Sequence, residues 1–179
     1  MTKMNELALA IFLCTIVSCH CTNIKPKNNN TNSIEQTCKQ TPNYALCIRY
    51  LKSDPINSDA ALIDQARFLV DRIRTSATTA LKRVRQLIGF GGIYGSPYQQ
   101  EALNSCAGRY RSILDDVVPK SITALEQGDP KVAEDGANDA ANEATTCENG
   151  FKGMSPMSDE NMDMHDLAVI TAAIIKQLL

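Results

Sequence analysis

Apolar residues recur every three or four positions along most of the chain, which is the spacing of one face of an α-helix. The longest such pattern runs from Asp59 to Ile88. Its apolar positions are Leu62, Ala66, Leu69, Ile73, Ala77, Ala80, Val84 and Leu87. Further patterns cover Tyr98 to Gln127, Ala133 to Phe151, and Ser158 to about Leu178. No stretch alternates with period two. The sequence therefore predicts an all-α fold in which four long helices, joined by short connections, form an antiparallel bundle.

Two shorter amphipathic patterns precede the bundle, between Ser33 and Asp54, and they are separated at Thr41-Pro42. They predict an N-terminal α-helical hairpin, and a disulfide and docking would have to support helices this short. Gly89 to Pro97 is rich in glycine but lacks the spacing of a phosphate-binding loop, so we predict a turn between helices there. Pro119 is expected to kink or split the pattern in which it lies.

The N-terminus has the pattern of a secretory signal peptide. Residues 1–21 contain a short apolar run, Leu7 to Val17, followed by small residues, and cleavage is expected after Cys21 or, alternatively, after Cys19. Residues 22–33 are polar and of low complexity, and we expect them to be flexible. They include a sequon for N-glycosylation at Asn29. The remaining 34–179 would form the folded domain of a soluble, exported protein.

Removal of the signal segment would take away three of the seven cysteines. Those that remain are Cys38, Cys47, Cys106 and Cys147. In an exported chain they suggest two disulfides, for which there are three connectivities. Pairing each cysteine with its nearest neighbour favours Cys38–Cys47 and Cys106–Cys147. A metal site is the rival interpretation, but the spacings are wide and His165 is the only histidine left.

Composition and charge argue against several functional classes. The formal net charge is −2, tryptophan is absent, and no basic patch interleaved with aromatic residues occurs, which disfavours nucleic acid and anionic membranes as partners. No catalytic, cofactor or metal site is evident, because His165 stands alone and the cysteines would be oxidised. The carboxylate pairs Asp115-Asp116 and Glu134-Asp135 are interpreted as solvated helix faces. We therefore expect a binding module. A hydrolase is the alternative, and hydrolysis of a sugar or an ester by the purified chain would reveal it.

The run from Gly128 to Gly136 has the residues of a corner between two helices. Gly128 can end one helix in a left-handed conformation, Asp129 can cap the next, and Pro130 suits its first position. Lys131 is unusual there, since a cation in the first turn opposes the helix macrodipole. It is either a solvated surface lysine or a group presented for binding.

Four segments together resemble the plant invertase and pectin methylesterase inhibitor family. They are the run from Thr37 to Cys47, Asn104-Ser105-Cys106, the run from Gly128 to Asp135, and Cys147-Glu148. The similarity extends over Ile34 to Leu179. It implies a four-helix bundle with an N-terminal hairpin, the two nearest-neighbour disulfides, and a proteinaceous inhibitor in place of an enzyme.

In the invertase-inhibiting branch of that family, a Pro-Lys-Phe segment enters the sucrose-binding cleft of the enzyme. Pro130, Lys131 and Val132 stand at the matching positions, so the resemblance implies that Asp129 to Val132 bind the partner. The Lys131 ammonium would pair with the carboxylates of a glycoside hydrolase cleft, and an acidic compartment would modulate affinity through their protonation. Val132 replaces the usual Phe, which removes aromatic contact area.

The resemblance favours acid invertase as the partner. The alternative is pectin methylesterase, for which a helix face would make the contact. The implied location is the cell wall or, alternatively, the vacuole.

Overall fold

All regular structure in the described part of the chain is helical. The computed structural model describes residues 31–53, 60–94 and 96–179. In chain order the helices are α1 (Thr31–Cys38), α2 (Tyr44–Leu51), α3 (Leu62–Tyr94), α4 (Pro97–Ser112), α5 (Val118–Gln127), α6 (Pro130–Asn149) and α7 (Ser158–Ile175). The segment 1–21, the Asn29 sequon and the predicted loop at 54–59 lie outside the described residues.

The bundle consists of four helical units, which we call walls: α3, the pair α4–α5, α6 and α7. Each wall packs against its two neighbours. This confirms the predicted architecture. The core between them is filled by large side chains with less than 2 % of their surface exposed, among them Leu69, Ile73, Tyr110, Ile113, Phe151, Met157, Met164, Leu167, Ile170 and Ile174. Met164 is fully buried and Met162 is exposed, because they lie on different faces of α7.

The end of α3 differs from the prediction. A turn was expected from Gly89, but α3 continues to Tyr94, because glycine only weakens a helix, by about 1 kcal/mol per residue, and does not end it. The next helix starts at Pro97 behind a capping box: Ser96 Oγ accepts from the Gln99 N–H, and the Gln99 side chain accepts from the Ser96 N–H. The capping box at Ser96, and not the glycine-rich stretch before it, therefore determines where α4 begins.

Pro119 interrupts the regular α-helix of the α4–α5 wall, as predicted. A π-helical turn, Ile113–Val117, lies between α4 and α5, and the Val118 N–H donates to the Ile113 carbonyl across one extra residue. Proline lacks an N–H and its ring would collide with the carbonyl of a regular preceding turn. The wider turn accommodates the ring while the wall continues.

α6 is buried along a stripe of alanines: Ala133, Ala137, Ala140, Ala141 and Ala144. Small side chains allow the neighbouring helices to approach α6 closely. Cys147 continues the stripe and is bonded to Cys106 of α4. The second disulfide joins Cys38 to Cys47, so both predicted pairings are confirmed.

The hairpin of α1 and α2 docks onto the bundle through polar contacts as well as buried side chains. The Tyr50 hydroxyl donates to Asp163 Oδ1 at 2.9 Å, and Gln177 Nε2 donates to the Thr37 carbonyl at 3.1 Å. Tyr50 thus contacts α7, and Thr37 contacts the short 3-10 helix that follows α7, Lys176–Leu178. The disulfide across the bend and this docking together hold helices that are too short to be stable alone.

Candidate partner-binding corner

The backbone of the corner between α5 and α6 is fixed by local hydrogen bonds. Gly128 ends α5 in the left-handed region, at φ 76°, where a side chain would be strained. The Asp129 N–H donates to the Ala124 carbonyl at 2.9 Å, and Asp129 Oδ1 accepts from the Val132 N–H at 3.3 Å. Pro130 is the first residue of α6. The turn is therefore built as the sequence predicted, with each residue in its expected place.

Lys131 extends from the first turn of α6, and 59 % of its side chain is exposed. Its Nζ donates to Asp135 Oδ1 at 2.5 Å and to Glu134 Oε2 at 3.2 Å. These bonds, first that to Asp135 and then that to Glu134, raise the pKa of the ammonium above its ordinary value. Lys131 is therefore a cation at any physiological pH. The nearby carboxylates also offset the unfavourable position of a cation beside the helix N-terminus.

Val132, the next residue of α6, is half-buried against the core. It borders a shallow groove of about 100 Å³ between α5 and α6. The other residues around this groove are Asp116, Val117, Lys120, Asp135, Gly136 and Asp139. The four residues predicted to bind a partner, Asp129 to Val132, thus form one continuous, largely exposed ridge beside a groove with mixed charges.

Glu134 and Asp135 both accept hydrogen bonds from Lys131, and the sequence analysis did not predict this contact. It treated them as part of a solvated helix face. Their spacing of three and four residues from Lys131 was the available signal, because side chains at those distances are adjacent on a helix surface. The two carboxylates are not equivalent, since 13 % of the Glu134 side chain is exposed and 58 % of that of Asp135.

A larger groove, about 320 Å³, separates α3 from α7 and is bordered by Arg72, Thr75, Ser76, Thr79, Asp159, Glu160, Asp163 and Leu167. His165 is exposed on α7, 3.6 Å from Asp166. Within the described ranges no group of histidine, cysteine, aspartate or glutamate side chains is arranged to hold a metal ion. None of the described helices is long and apolar enough to cross a membrane.

A family model described as "Plant invertase/pectin methylesterase inhibitor" matches residues 32–174. The chain is 39% identical over 142 residues to the Arabidopsis thaliana protein named "Cell wall / vacuolar inhibitor of fructosidase 1", a match that covers 79% of this chain and 66% of that protein. The chain thus spans just under two thirds of that relative. It is also 30% identical to a "Putative invertase inhibitor" of Platanus orientalis, over 81% of this chain and 89% of that protein.

Relatives from the other branch are also found. "Pectinesterase inhibitor 2" of Arabidopsis thaliana is 26% identical, over 68% of each chain. The crystal structure of a mutant form of a pectin methylesterase inhibitor from Arabidopsis superimposes with a TM-score of 0.69 at 24% identity, covering 82% of this chain and 97% of that one. At that identity the likeness supports the fold alone. It agrees with the helical bundle described above.

Proposed function

The chain belongs to the plant invertase/pectin methylesterase inhibitor family, and from this premise we propose that it is a secreted inhibitor of acid invertase (β-fructofuranosidase). Membership places it among enzyme inhibitors and not among enzymes, as the sequence predicted. The partner is then an invertase or a pectin methylesterase bound in a protein–protein complex. The choice of invertase, the contact residues and the location are the parts that we propose.

The observation that carries the proposal is the exposed Lys131 ammonium on a corner whose backbone is fixed by the Asp129 cap. Invertase is a glycoside hydrolase, and such enzymes act with a pair of carboxylates in a cleft. An ammonium on a preorganised turn can pair with those carboxylates at low entropic cost. We infer that Asp129 to Val132 occupy the cleft, so that sucrose is excluded and no chemical step on the inhibitor is needed.

Val132 modifies this model. Its half-buried side chain packs towards the groove between α5 and α6 and leaves little apolar area for the partner. Aromatic anchors contribute strongly to interfaces, so binding here would depend more on charge than it does where phenylalanine follows the lysine. We expect inhibition to weaken with added salt, because exposed charge pairs are screened.

The names of two relatives also support invertase as the target enzyme. The relative at 39% identity is named an inhibitor of fructosidase, whereas the pectinesterase inhibitor is matched at 26%. The first name also contains "cell wall / vacuolar", which supports export to the cell wall or the vacuole. A fusion of residues 1–21 to a reporter protein should direct the reporter out of the cytosol. Retention of the reporter there would contradict export.

The test is to titrate an acid invertase and a pectin methylesterase separately with the oxidised protein at mildly acidic pH. We expect loss of sucrose cleavage alone, and no hydrolysis by the inhibitor itself. Lys131→Glu should abolish inhibition with the fold intact, as checked by circular dichroism. Lys82→Glu, the same charge reversal on an exposed position of α3, is the matched control and should inhibit like the wild type. Full inhibition by Lys131→Glu would contradict the cleft model.

Inhibition of pectin methylesterase is the second candidate. It is favoured by the match to a pectinesterase inhibitor, and a helix face would then make the contact. The groove between α3 and α7 is a surface of that kind. Loss of pectin de-esterification alone, insensitive to Lys131→Glu, would assign the chain to that branch.

A further inference from the structure

The binding corner of the free protein is already occupied by its own carboxylates. Two hydrogen bonds hold the Lys131 ammonium, at 2.5 Å from Asp135 Oδ1 and 3.2 Å from Glu134 Oε2. An ammonium has three donors and no acceptor, so these bonds use two of the three. Both partners are on α6, within one turn of Lys131. Lys131 therefore has to give up at least one internal bond before it can pair fully with carboxylates of another protein.

Exposure indicates which internal bond is the one to break. The Glu134 side chain is 13 % exposed and is held at the helix surface, whereas that of Asp135 is 58 % exposed. Asp135 also borders the groove beside Val132, so it accompanies the corner into any interface that includes Asp129 to Val132. The shorter bond of Lys131 is thus made to the more exposed carboxylate.

We propose that Asp135 determines the affinity of the inhibitor by competing with the carboxylates of the target enzyme for the Lys131 ammonium. This inference rests on the proposed function. In the free protein Lys131 is internally paired. On docking, the ammonium is transferred from Asp135 to a carboxylate of the cleft, and its proton stays on the nitrogen. Asp135 then faces an acidic site without its cation, and like charges placed together oppose association.

Asp135 acts against binding in two ways that mutagenesis can separate. Its competition for the Lys131 ammonium weakens binding only as long as Lys131 is charged. Its repulsion from an acidic cleft is an effect that persists without that charge. Asp135→Asn keeps the shape of the side chain and removes the charge. If internal competition dominates, the substitution tightens binding more in the wild type than it does when Lys131 is replaced by glutamine.

The experiment measures the inhibition constant for one acid invertase at fixed pH and ionic strength, with the oxidised full-length protein. The variants are Asp135→Asn, Lys131→Gln and the double substitution. We expect Asp135→Asn to tighten inhibition about two- to fivefold, the range of exposed ion pairs. In the Lys131→Gln background the same change should tighten inhibition less than it does in the wild type, because only the repulsion is then relieved. Asp71→Asn, which breaks the exposed ion pair of Asp71 with Arg74 on α3, is the matched control and should resemble the wild type.

Three results would overturn the inference. Asp135→Asn inhibits no better than the wild type, or it tightens inhibition equally in the Lys131→Gln background, or Asp71→Asn tightens inhibition as much. In each case Lys131→Gln still weakens inhibition, and the proposed function stands. If Lys131→Gln inhibits like the wild type, the proposed cleft contact fails and the competition with it. Nitrogen NMR of the free protein checks the internal pair independently, since Asp135→Asn should lower the pKa of the Lys131 ammonium.

Discussion

Gly136 of α6 faces Ser121 of α5 so closely that a Cβ added to Gly136 would lie 2.2 Å from Ser121 Oγ. Ser121 is buried, and its hydroxyl donates to the Val117 carbonyl at 2.8 Å, in the π-helical turn. The hydroxyl therefore cannot turn away without losing a buried hydrogen bond. This contact sets the spacing of α5 and α6 below the corner, and so the position from which Lys131 is presented.

Gly136→Ala should destabilise the protein by about 1–3 kcal/mol, because the added methyl group forces α5 and α6 apart or breaks the Ser121 hydrogen bond. Unfolding in urea measures the change. Gly108→Ala is the matched control, since Gly108 is exposed in the interior of α4 and an added Cβ meets nothing within 4 Å. That substitution should stabilise the protein by about 0.5–1 kcal/mol. Equal effects of the two substitutions would show that the close approach costs nothing.

A polar network that includes Glu148, the residue after Cys147, joins α4, α6 and α7. Tyr110 of α4 donates its hydroxyl hydrogen to Asn161 Oδ1 of α7 at 2.6 Å. Asn161 Nδ2 and Ser158 Oγ in turn donate to the two carboxylate oxygens of Glu148, at 2.7 and 2.6 Å. Burial alone would raise the pKa of Glu148, but hydrogen bonds from Ser158, Asn161 and Ser155 outweigh it and lower the pKa below its ordinary value of 4.5.

A carboxyl group whose pKa is lowered by folding stabilises the protein when it is ionised. The contribution of Glu148 is thus fully present above about pH 4.5, its unfolded range, and is lost as the pH falls through the lower folded pKa. Glu148→Gln should cost about 1–2 kcal/mol at pH 6, and the difference from the wild type should shrink below pH 4. Urea unfolding between pH 3 and 7 measures it. Glu101→Gln, an exposed position on α4, should show no such dependence. A deficit that is constant with pH would exclude the ionised carboxylate as the cause.

Periodicity predicted the fold because the core is built almost entirely from helix faces. Every predicted apolar position of α3 from Ala66 to Val84 is buried. The helix ends were harder to predict, since a run of glycines weakens a helix but a competing cap decides where the next one begins. The sequence therefore misplaced the end of α3, whereas it predicted the Gly128-Asp129-Pro130 corner correctly. At that corner, the residue that ends α5 is directly followed by the residues that start α6.

The candidate site was predicted in outline and missed in detail. Residue types and their order place Asp129, Pro130, Lys131 and Val132 together, because four consecutive residues need no tertiary information. The spacing of Lys131 and Asp135 also allowed their pairing to be predicted. Both groups can instead be solvated by water, however, and the sequence does not show which state is favoured. The contact of Gly136 with Ser121 was not predictable, since it depends on the separation of two helices.

The Asp129 cap provides a third prediction. Asp129→Ala removes the acceptor of the Val132 N–H and should destabilise the protein by about 1 kcal/mol. Since the first turn of α6 would then fray, we also expect weaker inhibition of invertase. Asp129→Asn retains an acceptor oxygen and should keep both stability and inhibition close to wild type. If asparagine weakens inhibition as much as alanine does, the charge of Asp129 matters to the partner and its cap does not.

The attachment of the N-terminal hairpin provides the last prediction. Tyr50 is buried, and its hydroxyl donates to Asp163, which also accepts from Ser76 Oγ at 3.2 Å. Burial and, after it, the bond to Asp163 raise the pKa of Tyr50 above its ordinary range, so the phenol is neutral and the bond persists through physiological pH.

Tyr50→Phe should destabilise the protein by about 1 kcal/mol, because Asp163 keeps its bond to Ser76 and remains accessible to water. Amide hydrogen exchange should increase in α1 and α2 more than in the four walls, since only the hairpin loses an anchor. Tyr44→Phe is the matched control on the same helix, because Tyr44 is 45% exposed, and its effect should stay within about 0.5 kcal/mol. Uniformly faster exchange throughout the bundle would mean that the hairpin and the bundle unfold as one cooperative unit.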